Sequence, residues 1–128
     1  MFVSLLVRRL RPGKTYQDFL EAWYPDHGFG IPVRGPIVAR NLEDEREILA
    51  LAFLDVGRDE LAHGLSRIAE QEGTRHRRID AVIESTSVRG IYEVAAELDF
   101  STDATVAASR PPGLRRRARP RDDRGSAG

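Results

Sequence analysis

Apolar and polar side chains alternate along this chain in a pattern that predicts four strands. The first strand is apolar on both faces, which is typical of a strand covered on both sides. The second and third strands flank a charged connection that suits an antiparallel hairpin. The fourth shows the clearest period-two alternation, and Gly90 within it could allow a bulge or a close approach of a ligand. The predicted strands are residues 2–11, 36–42, 47–56 and 87–98.

A first helix is predicted between the first two strands. Thr15 is a typical N-cap residue, and Asp18 follows it at the spacing of a capping box. Pro25 disfavours helical backbone at Tyr24, so the helix is predicted to end near Trp23. Its apolar face has the helical spacing i, i+3, i+4 and i+7, formed by Tyr16, Phe19, Leu20 and Trp23.

A second helix is predicted to begin at Asp59 as N-cap and to stop at Gly73. A separate, shorter helix is predicted to follow it before the last strand. The apolar positions of the longer helix are Leu61, Leu65, Ile68 and Ala69, and those of the shorter one are His76, Ile79, Val82 and Ile83.

The predicted order is β-α-β-β-α-β, an α+β fold of the ferredoxin-like type with a four-stranded antiparallel sheet. Helices would cover one face of that sheet, yet the first and third strands are apolar on both faces. The simplest way to bury the second face is to pack it against the same face of another copy, with twofold symmetry. We therefore predict that residues 1–100 form one ferredoxin-like domain and, as a homodimer through the sheet face, a dimeric α/β barrel.

The composition is typical of one folded domain. The chain has 128 residues, of which 41% are hydrophobic, enough for a core. It has no cysteine, which excludes disulfides, thiolate metal sites and cysteine nucleophiles. No apolar run approaches the roughly 18 residues of a membrane-spanning helix, and the apolar start precedes its charges, the reverse of a secretory signal. We expect a cytoplasmic protein without a membrane partner.

The charge is unevenly distributed. Residues 109–128 hold seven arginines and two aspartates, a net charge of +5, which leaves −5 for residues 1–108. Residues 101–128 contain few large apolar side chains, so we predict a disordered Arg/Pro-rich tail. Arginines can bind nucleic acid through counterion release, but no aromatic residue is interleaved for base stacking. We favour an extension without function, which GC-rich bacterial coding would explain, and a nucleic-acid tether is the alternative.

The loop after the first helix concentrates the candidate chemistry. His27 is a candidate general acid or base because imidazoles exchange protons near neutral pH, and Asp26 lies beside it. Tyr24 could donate a hydrogen bond to a substrate, while Trp23 and Phe29 could form the apolar wall of an aromatic-substrate pocket. The alternative is that Trp23 belongs to the core and His27 is a solvent-exposed loop residue.

Phe19, Trp23 and His27 form an F-x-x-x-W-x-x-x-H series. This series resembles the helix-one signature of EthD-like proteins, and the element order over residues 2–100 resembles the dimeric α/β-barrel superfamily. The resemblance implies the fold. The superfamily includes cofactor-free monooxygenases, polyketide cyclases, muconolactone isomerases and haem-degrading enzymes, so the chemistry that it implies is broad.

In the haem-degrading branch of this superfamily, the site is formed by an asparagine on a strand, a tryptophan on a strand and a histidine on a helix. Here Ser4 and Phe53 stand on the first and third strands, and His76 alone fits. No metal-ligand spacing such as H-E-x-x-H occurs, so we predict neither a metal nor a cofactor. His63 and His76 are interpreted as surface residues, with neighbouring arginines lowering the pKa of His76.

These observations lead to two hypotheses. The first is a cofactor-free enzyme of the monooxygenase, cyclase or isomerase type that acts on a small aromatic or polyketide-like compound. The second is a non-catalytic dimeric binding or structural module whose loop closes the barrel.

Overall fold

A computed structural model describes residues 1–115 of the chain. These residues form four strands and three helices in the order β1 (Phe2–Leu10), α1 (Tyr16–Trp23), β2 (Val33–Arg40), β3 (Glu47–Leu54), α2 (Arg58–Asp80), β4 (Ile83–Glu93) and α3 (Asp103–Ser109). The chain divides into two compact units, Met1–Val94 and a second that starts at Ala95. Within the described residues, no helix has the length and apolar character needed to span a membrane.

The four strands form one sheet in the order β2-β3-β1-β4, with every neighbouring pair antiparallel. β1 is therefore a central strand, and both of its neighbours are separated from it in sequence by at least one helix. This order confirms the predicted ferredoxin-like arrangement and the α+β class.

Two irregularities in β4 change its pairing with β1. The register shifts between Val7 and Arg8 and again between Arg9 and Leu10, and each shift passes over one β4 residue, first Ser87 and then Glu84. The Ser87 hydroxyl donates a hydrogen bond of 3.3 Å to the Val7 carbonyl. The sequence allowed either a bulge or a close approach of a ligand at Gly90, but the two irregularities lie nearer the start of the strand. Gly90 instead leaves room for the Tyr92 ring, which would lie 3.1 Å from an added Cβ.

Both long helices pack on one face of the sheet, where two groups of buried side chains hold them. Phe2 and Leu10, at opposite ends of β1, belong to different groups, and Ser4 and Leu6 between them are only half-buried. Full burial of a large side chain such as Phe19 stabilises the fold by roughly 1.5–3 kcal/mol. The groups are Leu10, Phe19, Trp23, Ile48, Ile79, Val82 and Ile83, and Phe2, Leu54, Val56 and Leu61.

The first helix matches its prediction. The Thr15 hydroxyl accepts from the Asp18 amide at 3.2 Å, and the Asp18 carboxylate accepts from the Thr15 amide at 2.8 Å, which completes the capping box. The helix ends at Trp23, and Tyr24 has extended backbone ahead of Pro25.

The second helical region differs from its prediction. α2 is one helix of 23 residues that begins after Gly57 and passes through Gly73 without a break. A glycine inside a helix costs about 1 kcal/mol relative to alanine, but buried Arg75 and Ile79 beyond it anchor the last two turns. The predicted separate helix is therefore wrong, and β4 begins at Ile83.

The second unit contains a short helix, α3, in a stretch predicted to lack regular structure. Thr102 is its N-cap, and the Thr102 hydroxyl accepts from the Thr105 amide at 3.1 Å. The low apolar content of this stretch predicted disorder, because little burial offsets the entropy cost of ordering the chain. The hydrogen bonds of the threonine cap offset part of that cost. Most of the basic tail, residues 116–128, lies outside the described residues.

Candidate ligand-binding cavity

A cavity of about 480 Å³ lies between the sheet and the two long helices, inside the first unit. Its floor is made by the central strands, where Ser4, Ala50 and Ala52 have small side chains. The cavity separates the two buried groups described above. Small side chains on the sheet therefore leave the space, and the larger side chains on either side keep the helices at a distance from it.

Apolar side chains form most of the cavity wall. Helix α1 contributes Leu20 and Trp23, and α2 contributes Leu65 and Ile68. The loop between α1 and β2 closes one side through Ile31, whose Cγ2 would lie only 2.6 Å from a Cβ added to Gly64. Gly64 thus lets the loop pack against α2. A cavity of this size with mainly apolar walls is typical of small-molecule sites, which measure about 300–1,000 Å³.

Trp23 connects the core to the cavity. Its side chain is 9% exposed, and its ring stacks on that of Phe19 with 6.1 Å between the centroids. The guanidinium of Arg75 lies 5.7 Å from the centroid of the Trp23 ring and 5.5 Å from that of Phe29. Cation–π contacts with both rings hold them at the cavity wall. Trp23 is therefore a core residue that also lines the cavity.

Arg75 also satisfies the end of α1. Its Nη1 donates to the Trp23 carbonyl at 2.8 Å, one of the carbonyls that a helix C-terminus leaves without an intrahelical partner. Its Nε and Nη2 donate to the two carboxylate oxygens of Glu72 at 2.9 and 2.8 Å. Arg78 adds a hydrogen bond of 3.1 Å to the Tyr24 carbonyl. Two arginines of α2 therefore fix where α1 ends and where its loop begins.

Glu72 is the carboxylate in the cavity wall, and its pKa is lowered from 4.5. Burial, the largest single effect, raises the pKa, but the hydrogen bond and charge of Arg75 and the nearby His76 together outweigh it. The His76 Nε2 lies 3.3 Å from a Glu72 carboxylate oxygen. Glu72 is therefore ionised at neutral pH.

The pKa of His76 is lowered from 6.5, first by burial and then by the charge of Arg89, with Arg8 and Arg75 acting in the same direction. Glu72 opposes this effect. The pKa of His76 is lowered, as predicted. Burial is the leading cause, and the adjacent Arg75 makes a smaller contribution. Arg75 is 7% exposed, so the predicted basic surface around His76 is wrong at this position.

The structure separates the five residues that the sequence singled out. Trp23, Tyr24 and Phe29 line the cavity, with Tyr24 66% exposed at the rim. Asp26 and His27 are exposed and are not part of the lining. Asp26 pairs with Arg78 at 3.0 Å, and the His27 carbonyl accepts a hydrogen bond of 2.9 Å from Gln71.

Sequence reasoning missed three neighbouring residues of α2 at this site, two of them charged and one a histidine. Glu72, Arg75 and His76 have the i, i+3 and i, i+4 spacing that brings side chains together on a helix. Arg8 is 4% exposed on the helix-facing side of β1. No group of three or more histidine and carboxylate residues suited to a metal ion occurs within residues 1–115.

Comparison with known proteins supports the fold. No family model matches the chain, and no curated protein matches it significantly. A crystal structure from Chloroflexus aurantiacus J-10-fl, named as a candidate antibiotic biosynthesis monooxygenase, matches with a TM-score of 0.55. The match covers 75% of this chain and 95% of that one, at 13% sequence identity. The chain therefore shares the ferredoxin-like fold of that protein.

Proposed function

We propose that this protein binds a small, largely apolar compound, aromatic or polyketide-like, in the cavity between the sheet and helices α1 and α2. The observation that supports the proposal is the cavity of about 480 Å³ with Trp23 and Phe29 in its wall. Flat rings suit this wall because aromatic side chains stack on ligand rings while burying large apolar area. Ionised Glu72 and the Tyr24 hydroxyl supply polar groups that can orient the ligand.

We further propose that the bound compound is a substrate and that the protein is a cofactor-free enzyme of the monooxygenase, cyclase or isomerase type. The name of the similar Chloroflexus protein favours this class. In the proposal Tyr24 donates a hydrogen bond at the rim, and His27 with Asp26 exchanges a proton with a substrate that extends to the loop. That the chain is related to EthD-like proteins is part of the same proposal. A non-catalytic binding module is the alternative.

The protein is also proposed to act as a homodimer. Both long helices contact the face of the sheet that contains Phe2, Leu10 and Leu54. Side chains alternate along a strand, so the opposite face presents Leu5 and its neighbours. That face also includes two large side chains that are about half exposed, Ile37 at 54% and Tyr92 at 48%. An apolar sheet face of this kind suits a second copy placed by a twofold axis.

Fluorescence titration tests the binding proposal directly. Trp23 is the single tryptophan of the chain and lies in the cavity wall, so its emission reports on ligands there. We expect saturable quenching or a spectral shift with two-ring aromatic compounds. Ala52→Phe fills the floor of the cavity and should weaken binding at least about tenfold, since a blocked site loses the contacts of the ligand rings.

A matched control separates blocked binding from general damage. Ala62 lies on the exposed side of α2, outside the cavity lining, and Ala62→Phe adds the same side chain there. This control should bind like the natural protein. Equal affinity in Ala52→Phe, or no response from the natural protein across the aromatic compounds, contradicts the proposal.

A further inference from the structure

One wall of the cavity is a loop without regular secondary structure. This cavity loop, residues 25–32, connects α1 to β2 and contributes Pro25, Phe29 and Ile31 to the lining. The other walls are the sheet and the two long helices, whose backbones are held by regular hydrogen bonds. In the described part of the chain, residues 25–31 make no backbone–backbone hydrogen bond. The cavity loop is therefore the wall that can move with the least disruption of the fold.

Exposed polar contacts hold the first half of the cavity loop against α2. Asp26 pairs with Arg78 at 3.0 Å, and the two side chains are 66% and 37% exposed. Water and salt screen an ion pair this exposed, so it contributes little. Gln71 donates a hydrogen bond of 2.9 Å to the His27 carbonyl, also at the surface. These contacts can break without any change in α2.

The second half of the cavity loop is held by two packing contacts. The Phe29 ring lies 5.5 Å from the guanidinium of Arg75. Ile31 packs on the buried Gly64, where its Cγ2 would lie only 2.6 Å from an added Cβ. Ile31 thus occupies the place that a side chain at Gly64 would take. This close fit makes Gly64 the position on α2 that most directly decides whether the cavity loop can lie in place.

We propose that the cavity loop is a lid, which opens to admit the ligand and closes when Ile31 returns to its place on Gly64. This inference rests on the proposed binding function and adds the route by which the ligand enters. Gly28 and Gly30 flank Phe29, and a Cβ added at either would meet nothing within 4 Å. Glycines in open space give the backbone the freedom that a hinge needs.

Gly64→Ala tests the lid because the added methyl group takes the place of the Ile31 methyl. The closed position should then be disfavoured, as in other overpacked contacts. Since the association rate of a gated site is proportional to its open fraction, we expect association to become roughly tenfold faster. Dissociation should also become faster. A loop that is only a fixed wall would lose contacts with the bound ligand, which speeds dissociation alone.

Stopped-flow energy transfer from Trp23 measures both rates in the full-length protein. The probe is N-phenyl-1-naphthylamine, a neutral aromatic compound, and Trp23 is the single tryptophan and lies in the cavity wall. Gly73→Ala is the matched control, because it makes the same substitution in the same helix where an added Cβ meets nothing within 4 Å. This control should leave both rates unchanged.

Gln71→Ala provides a second variant if Gly64→Ala does not fold. It removes the hydrogen bond to the His27 carbonyl and should make association about two to ten times faster, as expected for the loss of one hydrogen bond. An association rate equal to that of the natural protein in every folded variant of Gly64 and Gln71 would overturn the lid.

Acrylamide quenching of Trp23 tests the lid without a ligand. Trp23 is 9% exposed, and an open cavity loop should let acrylamide reach it through the cavity. Quenching should increase in Gly64→Ala and stay unchanged in Gly73→Ala, and equal quenching in the two variants would overturn the lid. Absence of probe binding contradicts the proposed binding function instead, so the two proposals fail in different ways.

Discussion

Replacement of Arg75 by methionine should destabilise the protein strongly, because this buried side chain joins α2 to the end of α1. Arg75 is 7% exposed, and it donates to the Trp23 carbonyl and to both oxygens of Glu72. Methionine keeps an apolar side chain between the rings of Trp23 and Phe29 but provides no donor. The variant therefore separates the hydrogen bonds of Arg75 from its packing.

The expected magnitude follows from the partners left behind. A buried carbonyl that loses its donor costs about 1–3 kcal/mol. Breaking a fully buried ion pair by removing one partner costs about 3–5 kcal/mol, but the Glu72 side chain is 21% exposed and water can solvate part of it. We therefore expect a loss of about 2–4 kcal/mol, a large share of the stability of a small domain.

Urea unfolding followed by Trp23 emission measures this loss. The midpoint should fall by about 1–2 M, given the usual denaturant dependence of small domains. Arg77→Met on the exposed face should change stability by less than about 0.5 kcal/mol. Adding Glu72→Gln to Arg75→Met should restore part of the loss because no carboxylate is then left unpaired. A midpoint for Arg75→Met equal to that of Arg77→Met would refute the assignment of Arg75 as the link between the helices.

Two further predictions concern pH and assembly. Because the His76 pKa is lowered from 6.5 in the folded protein, the unfolded chain binds this proton more readily, so stability should fall as the pH drops below 6.5. His76→Gln should reduce that slope in urea midpoints measured between about pH 7 and pH 5, and an unchanged slope would contradict a role for His76. In sedimentation equilibrium the full chain should have twice its mass of 14.3 kDa. Leu5→Glu on the opposite sheet face should reduce this to the monomer mass, and a monomeric natural protein would contradict the dimer.

Much of the fold could be predicted from the sequence because local and global signals agree there. The Thr15–Asp18 capping box, the apolar face of α1 and the restriction imposed by Pro25 all act within a few residues. Alternation along the strands likewise predicts which side chains face the helices. The long α2 was predicted as two helices because Gly73 is a stop signal by local rules, whereas buried residues on both sides of it hold the helix together.

The same error hid part of the site. Glu72, Arg75 and His76 form a cluster through helical spacing, and this spacing has no meaning if the helix ends at Gly73. Arg8 carried a visible signal, a charge on an apolar strand face, but its missing partner can be recognised only in three dimensions. His27 shows the opposite case. The loop that follows Pro25 lies at the cavity rim, but tertiary contacts decide which of its side chains line the cavity.

A crystal structure of the complex with a two-ring aromatic compound tests most directly whether the cavity beside Trp23 binds such ligands. We expect the rings to lie against Trp23 and above Ala52, inside the cavity. Ligand bound only outside the cavity, or a cavity occupied by side chains of the protein itself, would contradict it.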